Sequence, residues 1–149
     1  MAFVDVLAAL RGALRETGMQ ESPQAQESKQ GFTRRHRGYR VVIGEIGNTG
    51  DFHDRSRTLL RYSLRLLTSH LLRPSPEDGF RDLGTAGADY EKILAALLGD
   101  ADLNVQGDLQ LGRILPVVSG DGEWLEATLT LSLDVEFDWL LDGGEEAGS

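Results

Sequence analysis

The chain has 149 residues, with 24 acidic side chains against 15 basic ones and no cysteine. One domain is the natural unit at this length, and a chain of this size buries enough surface to hold a core. Without cysteine there are no disulfides, no thiolate catalysis and no Cys-based zinc or iron–sulfur site, and a formal charge of −9 opposes general binding to a phosphate backbone.

Residues 3–16, FVDVLAALRGALRE, space Phe3, Leu7, Leu10 and Leu14 along one helical stripe. Arg11 and Arg15 suit the negative end of that helix, and Thr17-Gly18 ends it, with Gly18 expected in the left-handed conformation. Asp5 interrupts the segment after Met1, so a secretory apolar stretch is not expected, and no apolar run approaches the ~18–20 residues of a membrane span. From 19 to 38 the chain is polar and follows neither period, which predicts a long loop. Within it, Arg34, Arg35 and Arg37 form a basic cluster.

Residues 39–46, YRVVIGEI, have strand composition, and 47–51 are turn residues. Residues 58–67 alternate Leu60, Tyr62, Leu64 and Leu66 with Arg61, Ser63 and Arg65, the pattern of a half-buried strand. The two strands are expected to pair as a hairpin across 47–57. Pro74 and Pro76 predict a break and a loop to about Gly84, and residues 88–99 then give a second helix with Tyr90, Ile93, Leu94 and Leu97 inward. Asp89 and Glu91 are read as its first turn, and Gly99 as its stop. Residues 109–115 predict a strand that ends near Pro116. Residues 128–139, TLTLSLDVEFDW, alternate without a miss, so Leu131, Leu133, Val135 and Phe137 are expected in the core.

These elements predict an α+β fold: a mostly antiparallel sheet of about four strands with two flanking amphipathic helices on one face or its edges. Residues 1–142 form a single domain in this reading, and 143–149 a flexible acidic tail.

Chemistry-bearing motifs are sparse. Asp51, His53 and Asp54 stand together in the turn region, where a polar hairpin loop accounts for them better than an acid–base or metal cluster does. The glycines of 44–50 match no phosphate-binding pattern, and no serine lies in a nucleophile elbow. Asp134, Glu136 and Asp138 place three carboxylates at ~7 Å intervals on one strand face. Such a row suits a cation, but a solvent-facing row of acids is commoner, and here it equally suits arginines of a neighbouring chain. No enzyme class and no cofactor is expected. A nucleic-acid module using Arg34, Arg35, Arg37 and Arg40 is a rival reading, weighed against by the net charge.

The order of these elements resembles the tail terminator proteins of long-tailed bacteriophages and phage-derived tail machines. The likeness lies in the opening helix FVDVLAALRGALRE, the polar loop before YRVVIGEI, the returning strand TLLRYSLRLL, the helix ADYEKILAALLGD, and the pair LQLGRILPVV and EWLEATLTLSLDVEFDWLL. The resemblance covers roughly residues 2–141 and rests on element order and character. It implies a non-enzymatic virion protein assembled in the host bacterial cytoplasm. Such a protein forms a hexameric ring on the tail tube, stops tube polymerisation and offers a surface to head-completion or neck proteins, with DNA passing through the lumen. The neighbouring neck proteins share its size and build. On this reading Arg34, Arg35, Arg37, Asp134, Glu136 and Asp138 are expected to serve contacts between chains.

Overall fold

A computed structural model describes residues 2–22, 35–48 and 58–137. The first helix, α1, spans Phe3–Arg15. Its buried face is Val6, Leu10, Ala13 and Leu14, with Phe3 partly covered and Leu7 turned toward the rim. The stripe is therefore rotated from the expected Phe3–Leu7–Leu10–Leu14 line: Val6 and Ala13 are enclosed, Ala13 on the side of the second helix, while Leu7 borders an open groove. Phe3 stacks on Tyr62 with ring centroids 4.1 Å apart. Gly18 adopts φ +81, as the stop signal requires.

The sheet has five strands in the order β1-β2-β3-β5-β4. They are β1 (Gln20–Glu21), β2 (Gly38–Asn48), β3 (Thr58–Leu71), β4 (Gln110–Val118) and β5 (Trp124–Phe137). All neighbours are antiparallel except β1 and β2, which run parallel. The sheet thus has one strand more than expected. The polar segment 19–38 is not wholly loop: Met19 is buried, and β1 pairs Gln20 with Gly38 and Glu21 with Tyr39. Arg11 on α1 holds this short strand through Glu21 at 2.8 Å.

The β3–β5 pair is the spine, running in unbroken register from Thr58↔Phe137 to Leu71↔Trp124. The β2–β3 pairing expected of a hairpin is present, with a bulge between Ile43 and Glu45. Its turn lies outside the described residues, as do Arg34, the Asp51–Asp54 cluster, Asp138 and the 143–149 tail. Leu131, Leu133 and Val135 are buried as the alternation demands. Phe137, expected in the core, is instead 46% exposed at the end of its strand. β4 continues through Pro116 to Val118, which an edge strand permits when the missing N–H would have faced outward.

The second helix, α2, spans Pro76–Gly99, beginning twelve residues earlier than the expected start at 88. Pro76 starts the helix instead of breaking it: Pro suits the first helical turn, Ser75 accepts a bond from the Asp78 N–H, and Glu77 and Asp78 meet the positive end of the dipole. A π-helical turn, Asp102–Gln106, follows. Gly107 closes it where a Cβ would meet the Leu103 carbonyl at 2.7 Å and the Leu133 side chain at 2.8 Å. All three helical elements cover one face. Val6, Leu10 and Leu14 join Ile93, Leu97 and Leu103 over Leu64, Leu66, Leu129, Leu131 and Leu133.

Candidate assembly surface

α2 carries a buried stripe of Asp82, Ala86, Asp89, Ile93 and Leu97, at spacings of four and three. Two of its members are acids, and each has a cation. Asp89 accepts two bonds from Arg37, Nε at 2.9 Å and Nη2 at 2.8 Å, and a third from His70 Nε2 at 2.7 Å. Burial alone would raise the Asp89 pKa, but the bonds from Arg37 and His70 outweigh it and hold the carboxyl below its ordinary range. His70 has no exposed surface, and burial keeps its pKa below the usual value despite the carboxylate. It is thus the neutral ring with its proton on Nε2, facing Asp89. The edges of the Tyr90 and His36 rings flank it at centroid distances of 5.7 and 6.2 Å.

Arg37 has φ +53, a left-handed backbone that costs a non-glycine residue about 1–2 kcal/mol. The bidentate bond to Asp89 and the turn bond from Gly38 N–H to Arg35 carbonyl hold it there. The Arg35 carbonyl also accepts from Ser69 Oγ at 2.7 Å, and His36 Nδ1 accepts from the Leu71 N–H at 3.1 Å. Residues 35–38 are therefore fastened to β3 and α2. The second acid, Asp82, accepts from the Arg73 N–H at 2.8 Å and from its guanidinium at 2.9 Å, and these bonds lower its pKa. They fix the β3-to-α2 connection.

On the sheet's uncovered face, Arg61 reaches Asp134 at 2.9 Å across the strand, Asp108 at 3.0 Å, and Ser132 Oγ at 3.0 Å. Arg37 and Asp134, two residues expected to serve contacts between chains, are thus paired inside their own chain. The reason is register: Asp134 is directly opposite Arg61, and Arg37 lies under α2. Arg35 and Glu136 are exposed on the surface. Asp89, read from the sequence as a first-turn acid, lies instead midway along α2 and buried, because the helix starts at Pro76; His70, Asp82 and Arg73 were not singled out by the sequence. For the two acids the signal was a carboxylate at an apolar-stripe position: Asp89 stands four residues before Ile93, and Asp82 joins the stripe once the helix is started at Pro76.

Chemically, the Arg37–Asp89–His70 cluster is a clamp. His70 touches no solvent, and its second nitrogen, Nδ1, has no hydrogen-bond partner. Among the described residues no group of three or more His, Asp or Glu is placed to hold a metal ion, and no helix is long and apolar enough to cross a membrane.

The surface is apolar in several places. Phe80 is 79% exposed on α2, Val105 81% on the π-turn and Val117 64% on β4, with Val4, Leu98, Leu115 and Val118 also uncovered. A groove of about 530 Å³ runs between α1 and β2, lined by Leu7, Leu10, Leu14, Tyr39, Val41 and Ile43 among others. A second cleft, between α1 and α2, is floored by Ala9, Ala13 and Ala96 and rimmed by Glu16, Asp100 and Asp102.

No protein-family model matches the chain, and no curated protein matches it significantly.

Proposed function

We propose that this chain is a structural subunit of a bacteriophage tail, a tail terminator that forms a hexameric homo-oligomeric ring on the end of the tail tube. In this role it has no catalytic task. It stops tube polymerisation and presents a surface for the head-completion or neck protein. The observation that carries the reading is the apolar surface. Large aliphatic and aromatic side chains stand exposed on α1, α2, the π-turn and β4, outside the buried core. Exposed apolar side chains that cluster, as Leu115, Val117 and Val118 do on β4, suit contact surfaces, and a ring needs two different ones per subunit. The element order supports the same role through its resemblance to tail terminators. The net charge of −9 fits a ring whose lumen must let DNA slide without sticking.

The test is tube length. On this reading, tail-tube protein polymerised alone is expected to give tubes of uncontrolled length. Added in stoichiometric excess over tube ends, this chain is expected to halt growth and appear by electron microscopy as a six-fold cap. Tubes that keep growing with bare ends would overturn the proposal.

A further inference from the structure

The two margins of the sheet differ in a way that fits one to the other. On the β2 side, β1 covers only the start of the strand: Gln20 N–H donates to the Arg37 carbonyl at 2.9 Å, and Ser22 N–H to the Tyr39 carbonyl at 2.8 Å. Main-chain groups alternate in direction along a strand, so the next ones on that side belong to Val41 and Ile43. Among the described residues no strand pairs with them. They border the apolar groove beneath α1. On the far margin, the Ser119 N–H donates inward to the Trp124 carbonyl at 2.8 Å. By the same alternation the main chains of Val117 and Leu115 face β5, and those of Val118, Pro116 and Ile114 face out. Pro116 lacks a donor, so this edge offers three carbonyls and two N–H groups.

Strand direction decides how copies can meet. β2, β3, β5 and β4 alternate in direction, and four alternating strands leave the two margins antiparallel to each other. Rotation about an axis along the strands then brings β4 of one copy beside β2 of the next as an antiparallel neighbour, with the helix layers on the same side. That is a head-to-tail contact, the kind that closes into a ring. Both margins carry exposed apolar residues, Ile43 and Ile46 on one and Leu115, Val117 and Val118 on the other. Their exposed charges are opposite, Glu45 on β2 and Arg113 on β4.

We propose that β4 of a second copy of this chain occupies the open β2 edge, adding an antiparallel strand that carries Val118 into the groove beneath α1. This deepens the ring reading and rests on it. With Tyr39 already held by β1, the proposed register starts at the next outward-facing residue and sets Val118 of one copy opposite Val41 of the next and Pro116 opposite Ile43. Val117 then faces Val42 as a non-hydrogen-bonded pair, whose Cα atoms stand ~4.5 Å apart, within the range a disulfide spans.

The chain has no cysteine, so introduced thiols are the sole ones. On oxidation, the double variant Val42→Cys/Val117→Cys is expected to give a non-reducing ladder of covalent multimers. A mixture of the two single variants should give dimers, and neither single variant alone should. Circular dichroism checks that each variant is folded. In parallel, Glu45→Arg should abolish assembly in native mass, and Glu45→Arg/Arg113→Glu should restore it. Dimers from Val117→Cys alone would show a two-fold β4–β4 contact and overturn the proposal. So would dimers from Val42→Cys alone, an absence of cross-links in assembled protein, or a chain that stays monomeric. Rings that cap tubes without cross-linking would refute this joint and leave the tail role standing. Cross-linked rings that leave tubes uncapped would refute the tail role and leave the joint standing.

Discussion

Asp89 is the residue on which the most bonds converge. A carboxylate that is 2% exposed is costly to bury alone, and it is stable here because one guanidinium and one imidazole surround it. Removing it leaves a buried imidazole and a one-third-exposed guanidinium unpaired. Asp89→Ala should therefore cost about 3 kcal/mol, the low end for breaking a buried pair because Arg37 is 32% exposed. Arg35→Ala, at an exposed side chain whose carbonyl does the bonding, should stay within about 0.5 kcal/mol. Chemical denaturation of both variants checks the contrast. The same cluster sets a pH dependence. Burial holds the His70 pKa below its unfolded value of about 6.5, so below that pH the unfolded chain takes up a proton that the folded chain refuses. Stability should fall as pH drops from 7 to 5. It should fall further under acid, where Asp89 and Asp82, both depressed, must be protonated. His70→Gln can still donate to Asp89. It should melt lower than the native chain but lose the change between pH 7 and 5 in thermal melts.

At the level of elements, β5 bears the strictest test of register. Leu133 is fully buried and touches the space that Gly107 leaves free, whereas Thr130, three residues earlier, is exposed on the other face. Leu133→Ala should lower stability by about 2–5 kcal/mol, and Leu133→Asp should leave no folded protein. Thr130→Asp should remain within about 0.5 kcal/mol, as measured by urea unfolding. Long alternating strands were legible in the sequence because each residue reports its own face, and Thr128–Phe137 did so without error but for its last residue. Helix α2 was legible only from 88 onward. Its first half holds Gly79, Gly84 and Gly87, which dilute the apolar period, and Pro76, which marks a start as readily as a break. β1 was invisible, since two polar residues carry no period and only the pairing with Gly38 and Tyr39 defines them. The clamp was hidden for a related reason. Arg37 and Asp89 are 52 residues apart, and no local pattern joins them.

On the scale of the whole molecule, one face of the sheet is covered by helices, and the other carries cross-strand pairs such as Arg61 with Asp134 beside exposed Leu59 and Leu71. Apolar side chains are exposed at the margins of the sheet and on the outside of the helices, where the proposed ring would place its contacts. Reversing charge at Arg34, Arg35 and Arg37 together would not test such contacts cleanly, because Arg37→Glu would place a second acid against Asp89 and unfasten residues 35–38. Arg35→Glu alone is the cleaner probe. It should leave the melting temperature within about 2 °C, a shift of a few tenths of a kcal/mol, so that a change in assembly can be read by itself. The most direct measurement of the proposed role is native mass spectrometry of the purified chain, with electron microscopy of the same sample. A discrete six-subunit species, seen as a closed ring that seats on tube ends, is the expected result. A chain that remains monomeric across the micromolar range, with or without tail-tube protein, would contradict it.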